Sequence, residues 1–262
     1  MSEPIDVSVT DVGAALALVA VAVAVSLWQR AELESEIGIS VVRSFLQLTA
    51  IGYLIKLIFE QDELAFVIAL IAAMVIFGAL TARRRARHVP RAFWPLLAAL
   101  ALAGGSTLAL VVALGVFEPE ARFLVPVGGM VVGNAMTAAA VSLNRLGDEV
   151  RASSGQIEAT LALGATATQA MLPTIRRSLR SGMIPLIDAT KTTGLIFFPG
   201  TMVGMLLAGA EPVDAVRLQL ILLYTLLGSV ALAALTSIAL AYRNFFTPDH
   251  QLRELPPVAS AR

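Results

Sequence analysis

The chain has 262 residues, 57% of them hydrophobic and 15% charged, with a mean hydropathy of +0.80. Soluble domains carry roughly a quarter charged residues, so this surplus of apolar side chains calls for an apolar solvent. Zero formal net charge argues against a nucleic-acid partner, and the absence of cysteine excludes a disulfide framework, a thiolate metal site and a catalytic cysteine. The only lysines, Lys56 and Lys191, follow no glycine, so no phosphate-binding GxxxxGK[ST] loop can be written. Transport driven by ATP would need a second chain to bind the nucleotide.

The N-terminal MSEPIDVSVTD holds Glu3, Asp6 and Asp11 and no basic residue. A secretory leader needs positive charge, so the first apolar run is expected to be a retained membrane helix. A bilayer core takes roughly 20 apolar residues of helix, and the chain offers about seven such stretches on that measure. They fall at 12–29, 41–59, 64–82, 93–116, 122–143, 183–208 and 217–242. The first is charge-free and ends on Trp28, and the second carries Arg43 and Lys56 near its two ends.

The connections alternate in charge. EQDE after the second stretch, FEPEAR after the fourth and AGAEPVDAV after the sixth are acidic or nearly free of basic residues. ARRRARHVPR after the third carries Arg83, Arg84, Arg85, Arg87 and Arg91, and residues 144–182 carry Arg145, Arg151, Arg176, Arg177 and Arg180. Basic residues mark cytoplasmic loops. The expected topology therefore has the N-terminus outside and the C-terminus in the cytoplasm. The fold class is all-α, a polytopic membrane helix bundle, with residues 1–246 as one transmembrane domain. Residues 247–262 would form a poorly ordered, Pro-containing cytoplasmic tail.

Residues 144–182 are the one long cytoplasmic connection, and they read as helical. Gln156–Leu163 (QIEATLAL) is a good helix former, and Gly164 is a helix stop in a left-handed conformation. Thr166 with Gln169 has capping-box spacing, opening a second helix through Arg176, Arg177 and Arg180, interrupted near Pro173. The segment would lie along the cytoplasmic face. It is either a capped surface connection or a coupling element that docks into a partner and moves the membrane helices.

IEATLALGAT resembles the EAA-type signature of ABC-transporter permeases, with Glu158, Ala159, Thr160 and Gly164 at the matching positions and Leu163 and Ala165 beside the glycine. VRSFLQLTAIGYLI, GNAMTAAAVSLNRL, IPLIDATKTTGLIFFPGTMVGMLLAG and PVDAVRLQL are similar to the FetB-type permease family of bacterial iron-export and plant aluminium-tolerance permeases. The similarity runs from about Ser35 to Phe246. It implies a cell-membrane permease subunit exporting iron or another metal ion. Two copies would pair with two ABC ATPases, which would hold the ATP and Mg. The chain itself would bind no cofactor and would not be an enzyme. Thr137, Thr160, Asp188 and Leu218 depart from the family's commoner residues.

Ionisable groups inside a bilayer usually face a bundle interior or a watery path. Asp188 and Lys191 stand three apart on one helix face, either neutralising each other or lining the inner mouth of a path. Gly194, Pro199 and Gly200 of KTTGLIFFPG are candidate hinge residues, able to break a spanning helix where it lines a cavity. Arg43 reads as an interfacial anchor, and Gln47, one turn deeper, as an interhelical hydrogen bonder or path residue. Asn134, among Gly129 and Gly133, is either a close-packing position or an oxygen donor to a passing cation. Met130, Met136, Met202 and Met205 would fill core gaps, or Met202 and Met205 would offer soft sulfur to the path. No His or Cys joins them, so a dedicated metal site is not expected. A partner-independent secondary transporter or channel is the alternative function.

Overall fold

A computed structural model of the chain describes residues 9–61 and 63–253, and for residue 9 and residues 54–61 the backbone alone. The described residues are helical almost throughout. Helix α1 spans Val9–Gln29, α2 Glu34–Gln61, α3 Leu64–Arg85, α4 Phe93–Ala113 and α5 Ala121–Ala152. Then come α6 (Ser154–Ala162), α7 (Ala167–Thr192), α8 (Gly200–Leu207), α9 (Pro212–Ala241) and a closing 3-10 turn, Tyr242–Phe245.

Local chemistry accounts for several of these boundaries. Helix α3 ends on Arg83, Arg84 and Arg85, cations that suit the negative end of a helix dipole. Helix α9 opens on Pro212, whose missing N–H costs nothing at a first helical position. Among the described residues, five helices are long and apolar enough to cross a membrane: α1, α3, α4, α5 and α9, the last with its 3-10 extension. The chain is a polytopic helical membrane protein.

Helix α5 is the hub, packing against α3, α4, α7 and α9. Its inward positions are small, Ala135, Ala138, Ala139 and Ala140 all being buried, which lets neighbouring backbones come close. One apolar core surrounds the arginine-rich end of this bundle, around Leu96, Leu143, Leu146, Ile157, Met171 and Phe245. A second gathers Val67, Leu124, Val131, Leu222 and Leu226 towards the other end. Helices α1 and α2 form a hairpin that meets the bundle along α5. Its turn is held by Ser26, whose hydroxyl donates to Glu34 Oε1 at 2.7 Å and accepts from the Leu33 N–H. That bond holds the Glu34 carboxyl below its ordinary range.

The sequence expectations need four corrections. The stretch 183–208 is not one helix: α7 ends at Thr192, the chain unwinds, and α8 starts at Gly200. The helix expected at 122–143 continues to Ala152, so much of 144–182 is not a connection but the ends of α5 and α7 flanking the nine-residue α6. Helix α7 is not interrupted at Pro173, because it runs continuously through both Pro173 and Pro185. Helical packing tolerates the lost bonds when neighbouring groups hold the turn. The start of the tail is also ordered. Phe246 and Leu252 form a bridge, and Arg253 Nε donates to the Phe246 carbonyl at 2.9 Å. The rest of the tail, 254–262, and residues 1–8 lie outside the described residues, as does the side chain of Lys56.

Candidate functional site

Helix α6 hangs between the two long helices α5 and α7 and buries one side chain, Ile157. Its end is a complete Schellman turn. The Gly164 N–H donates to the Leu161 carbonyl at 2.9 Å and the Ala165 N–H to the Thr160 carbonyl at 3.3 Å. Gly164 sits at φ +88°, in the left-handed region that glycine enters at little cost. The capping box follows at once: the Gln169 N–H donates to Thr166 Oγ1, and the Thr166 N–H to Gln169 Oε1. Helix, turn and cap therefore fix the angle between α6 and α7. The turn presents Glu158, Ala159, Leu163 and Gly164 to the outside, with Ala165 half-buried. Leu163 is 89% exposed, an apolar tip left uncovered by the described residues.

Two attachments join this segment to the bundle. Glu149, buried near the end of α5, accepts from Arg177 Nε of α7 at 2.7 Å and pairs with Arg145 at 2.6 Å. Two half-exposed guanidiniums meet on one buried carboxylate, Arg145 from α5 itself and Arg177 from α7, and the Arg177 bond ties the two helices together. Glu149→Gln is expected to cost about 1–3 kcal/mol, the penalty for leaving buried hydrogen-bonding groups poorly matched. A fluorescence-monitored melt of the purified protein would read it. On the other side of α5, His88 Nδ1 lies 2.8 Å from Asp148 Oδ1. Gly147 lets the backbone at His88 come so near that an added Cβ would lie 2.7 Å from His88 Cβ. The loop after α3 is thus latched to the same helix end.

The membrane-level candidates are only partly brought together. Lys191 Nζ donates to Asp188 Oδ1 at 3.2 Å, and both side chains are more than half exposed in the single chain. Asn134 Nδ2 donates to the Met130 carbonyl of its own helix, not across helices. Gln47 makes no cross-helix hydrogen bond among the described residues. It lies with Arg43 along an open groove on α2 that also involves Ile39, Val42 and Leu46. Met202 is buried, Met205 and Met130 are half-buried, and no cluster of His, Cys, Asp or Glu suited to a metal occurs among the described residues.

The break after α7 falls on the predicted hinge residues. Gly194 has φ +85° and donates to the Phe197 carbonyl, Pro199 is the N-cap of α8, and Gly200 is its first residue. Thr201 then donates to the buried Gln219 of α9 at 2.6 Å, tying the short helix to its neighbour. Sequence reasoning did not single out Glu149, Asp148, Gly147 or Gln219. The Arg145–Glu149 spacing of four was legible, whereas the other partners are distant in sequence.

A multi-span bundle with a rigid turn-helix element hung between two long helices is the geometry to set beside known proteins. The uncharacterised protein family UPF0014 matches residues 9–246, nearly the whole described chain. The chain belongs to this family. It is 42% identical over 243 residues to the rice UPF0014 membrane protein STAR2, covering 92% of this chain and 85% of that one. It is 40% identical to the Arabidopsis thaliana protein ALUMINUM SENSITIVE 3, covering 92% and 88%. It is 35% identical to the probable iron export permease protein FetB of Escherichia coli, covering 91% and 92%. No solved structure matches the chain. Membership makes this UPF0014 protein a multi-pass, permease-like membrane protein.

Proposed function

We propose that this UPF0014 protein is the membrane subunit of an ABC transporter that exports iron or another metal ion across the cell membrane. A separate ATPase chain would bind ATP and Mg and hydrolyse the nucleotide. The proposed topology is seven spans, the five strongly apolar helices together with α2 and α7–α8, with the N-terminus outside. The observation that carries the proposal is α6 with its Schellman turn. It is an exposed, rigidly angled element at the arginine-rich end of the bundle, suited to docking in a cytoplasmic partner.

The 35% identity to a probable iron export permease supports the substrate class. The exposed Asp188–Lys191 pair supports a second copy of the chain. Charges at bilayer depth cost roughly 2.5–3.5 kcal/mol unless they meet protein or water, and a second subunit would enclose them in a shared path. Gln47, Asn134, Met202 and Met205 are proposed to border it, and Gly194, Pro199 and Gly200 to bend there. The competing reading is a partner-independent secondary transporter, favoured by the broken α7–α8 helix.

Proteoliposomes decide between them. Co-purified with its ATPase, the protein is expected to hydrolyse ATP faster when ferrous iron is supplied, and to move iron only with ATP. Iron flux through the permease alone would establish the competing reading. A complete lack of response to iron, with a response to another metal, would keep the ABC assignment and change the substrate.

A further inference from the structure

The loop between α3 and α4 encloses an open cavity of about 580 Å³, within the range of small-ligand sites. Its lining divides by chemistry. Arg83, Arg87 and Arg91 contribute guanidiniums, while Val89, Phe93 and Trp94 contribute an apolar wall. Among the described residues no carboxylate lies within ion-pair distance of these arginines, although seven other ion pairs form elsewhere. The nearby acid, Asp148, is engaged by His88.

The cavity is held open by specific contacts. Arg87 Nε donates to the Arg84 carbonyl at 3.1 Å, capping the end of α3. Arg91 occupies φ +52°, a left-handed conformation unfavourable for a residue with a side chain. The neighbouring Pro90 carbonyl is fastened by Asn244 Nδ2 at 3.0 Å. A strained arginine kept in place beside two others marks a position where the surroundings over-determine the backbone.

We propose that this cavity binds the headgroup of an anionic phospholipid in the adjacent leaflet. Guanidiniums meet phosphate oxygens with paired donors, and an occupant carrying acyl chains satisfies the apolar wall as well. The location fits, because the cavity lies where two strongly apolar spans, α3 and α4, meet at their basic ends. Trp94 is 69% exposed there and packs edge-to-face with Phe93 at 5.2 Å between ring centres, as interfacial aromatics do. A free phosphate ion would leave that aromatic wall unused, and an acidic protein surface would not need it at all. Since His88 and Gly147 latch this loop to α5, the lipid would bear on the helix end that carries α6.

Trp94 supplies the test. The chain has two tryptophans, so Trp28→Phe leaves Trp94 as the sole reporter. In full-length protein reconstituted into vesicles, brominated phosphatidylglycerol is expected to quench Trp94 more efficiently than brominated phosphatidylcholine. Arg83→Gln, Arg87→Gln and Arg91→Gln should each weaken this preference roughly fivefold, and together on the order of a hundredfold. The corresponding lysine variants, which keep charge but lose the paired donors, should fall between, and they serve if the triple glutamine variant does not fold. Equal quenching by the two lipids would overturn the proposal. So would loss of the preference on adding inorganic phosphate at constant ionic strength, which would indicate a free-anion site. A triple glutamine variant that keeps the lipid preference but releases its ATPase would mark a protein dock instead.

Discussion

With the proposed ATPase partner, Gly164→Val is expected to abolish the proposed metal-stimulated ATP hydrolysis while leaving the thermal midpoint of the bundle nearly unchanged. Both halves follow from the turn. At φ +88° a side chain costs about 1–2 kcal/mol, and a β-branched one more, so the Schellman turn would reopen and α6 would lose its angle to α7. No atom of the described residues lies within 4 Å of an added Cβ, so the effect comes from the backbone. Helix α6 buries only Ile157, so its displacement removes little from the core. Gly164→Asn, which tolerates the left-handed region, should keep most of the stimulation. Full transport by the valine variant would remove α6 from the coupling role, whatever the substrate.

Gly182→Ala is expected to be the most damaging single-methyl change in the bundle, lowering stability by about 1–3 kcal/mol or more through overpacking. A Cβ there would overlap Ser142 Oγ and sit 2.8 Å from the Ala138 carbonyl oxygen, where α7 crosses α5. The serine can turn away, but the backbone carbonyl cannot, so the helices must separate. Adding Ser142→Ala, which removes a buried hydroxyl without a hydrogen-bond partner among the described residues, should recover only part of the loss. A melting series on the single and double variants in one detergent measures both. Full rescue by Ser142→Ala would mean that the carbonyl contact relaxes freely and that α5 and α7 are not locked at this point.

Hydropathy made the membrane bundle legible, because each long apolar run needs bilayer or protein around it whatever its neighbours are. Gly164 and the Thr166–Gln169 cap were equally legible, since caps and left-handed turns are local chemistry carried by residues within one turn of each other. The extent of α5 and α7 was not. Arg145, Arg151 and Arg177 look like loop residues in a membrane protein, but Glu149 takes up two of these charges and the helices continue past the apolar stretch. The break after Thr192 was marked by Gly194 and Pro199, yet hydropathy alone ran through it, because Leu195, Ile196, Phe197 and Phe198 are as apolar as any spanning helix. Among the candidate path residues, Asp188 and Lys191 meet because they share a helix face, whereas Gln47 and Asn134 depend on how separate helices are arranged.

The crossing at Gly182 gives α7 the mechanics of a lever. From Ala167 to Gly182 the helix runs about 22 Å, and from Gly182 to Thr192 about 15 Å, at 1.5 Å per residue. Backbone contact with α5 at Gly182 acts as the fulcrum, and the chain is unwound just beyond the shorter arm. A push on α6 that loosened the Arg177–Glu149 bond on the longer arm and tilted α7 about this point would swing Thr192 the opposite way, by about two-thirds of the distance travelled at Ala167. The non-helical Thr193–Pro199 stretch separates that swing from α8, which Thr201 keeps moored to α9.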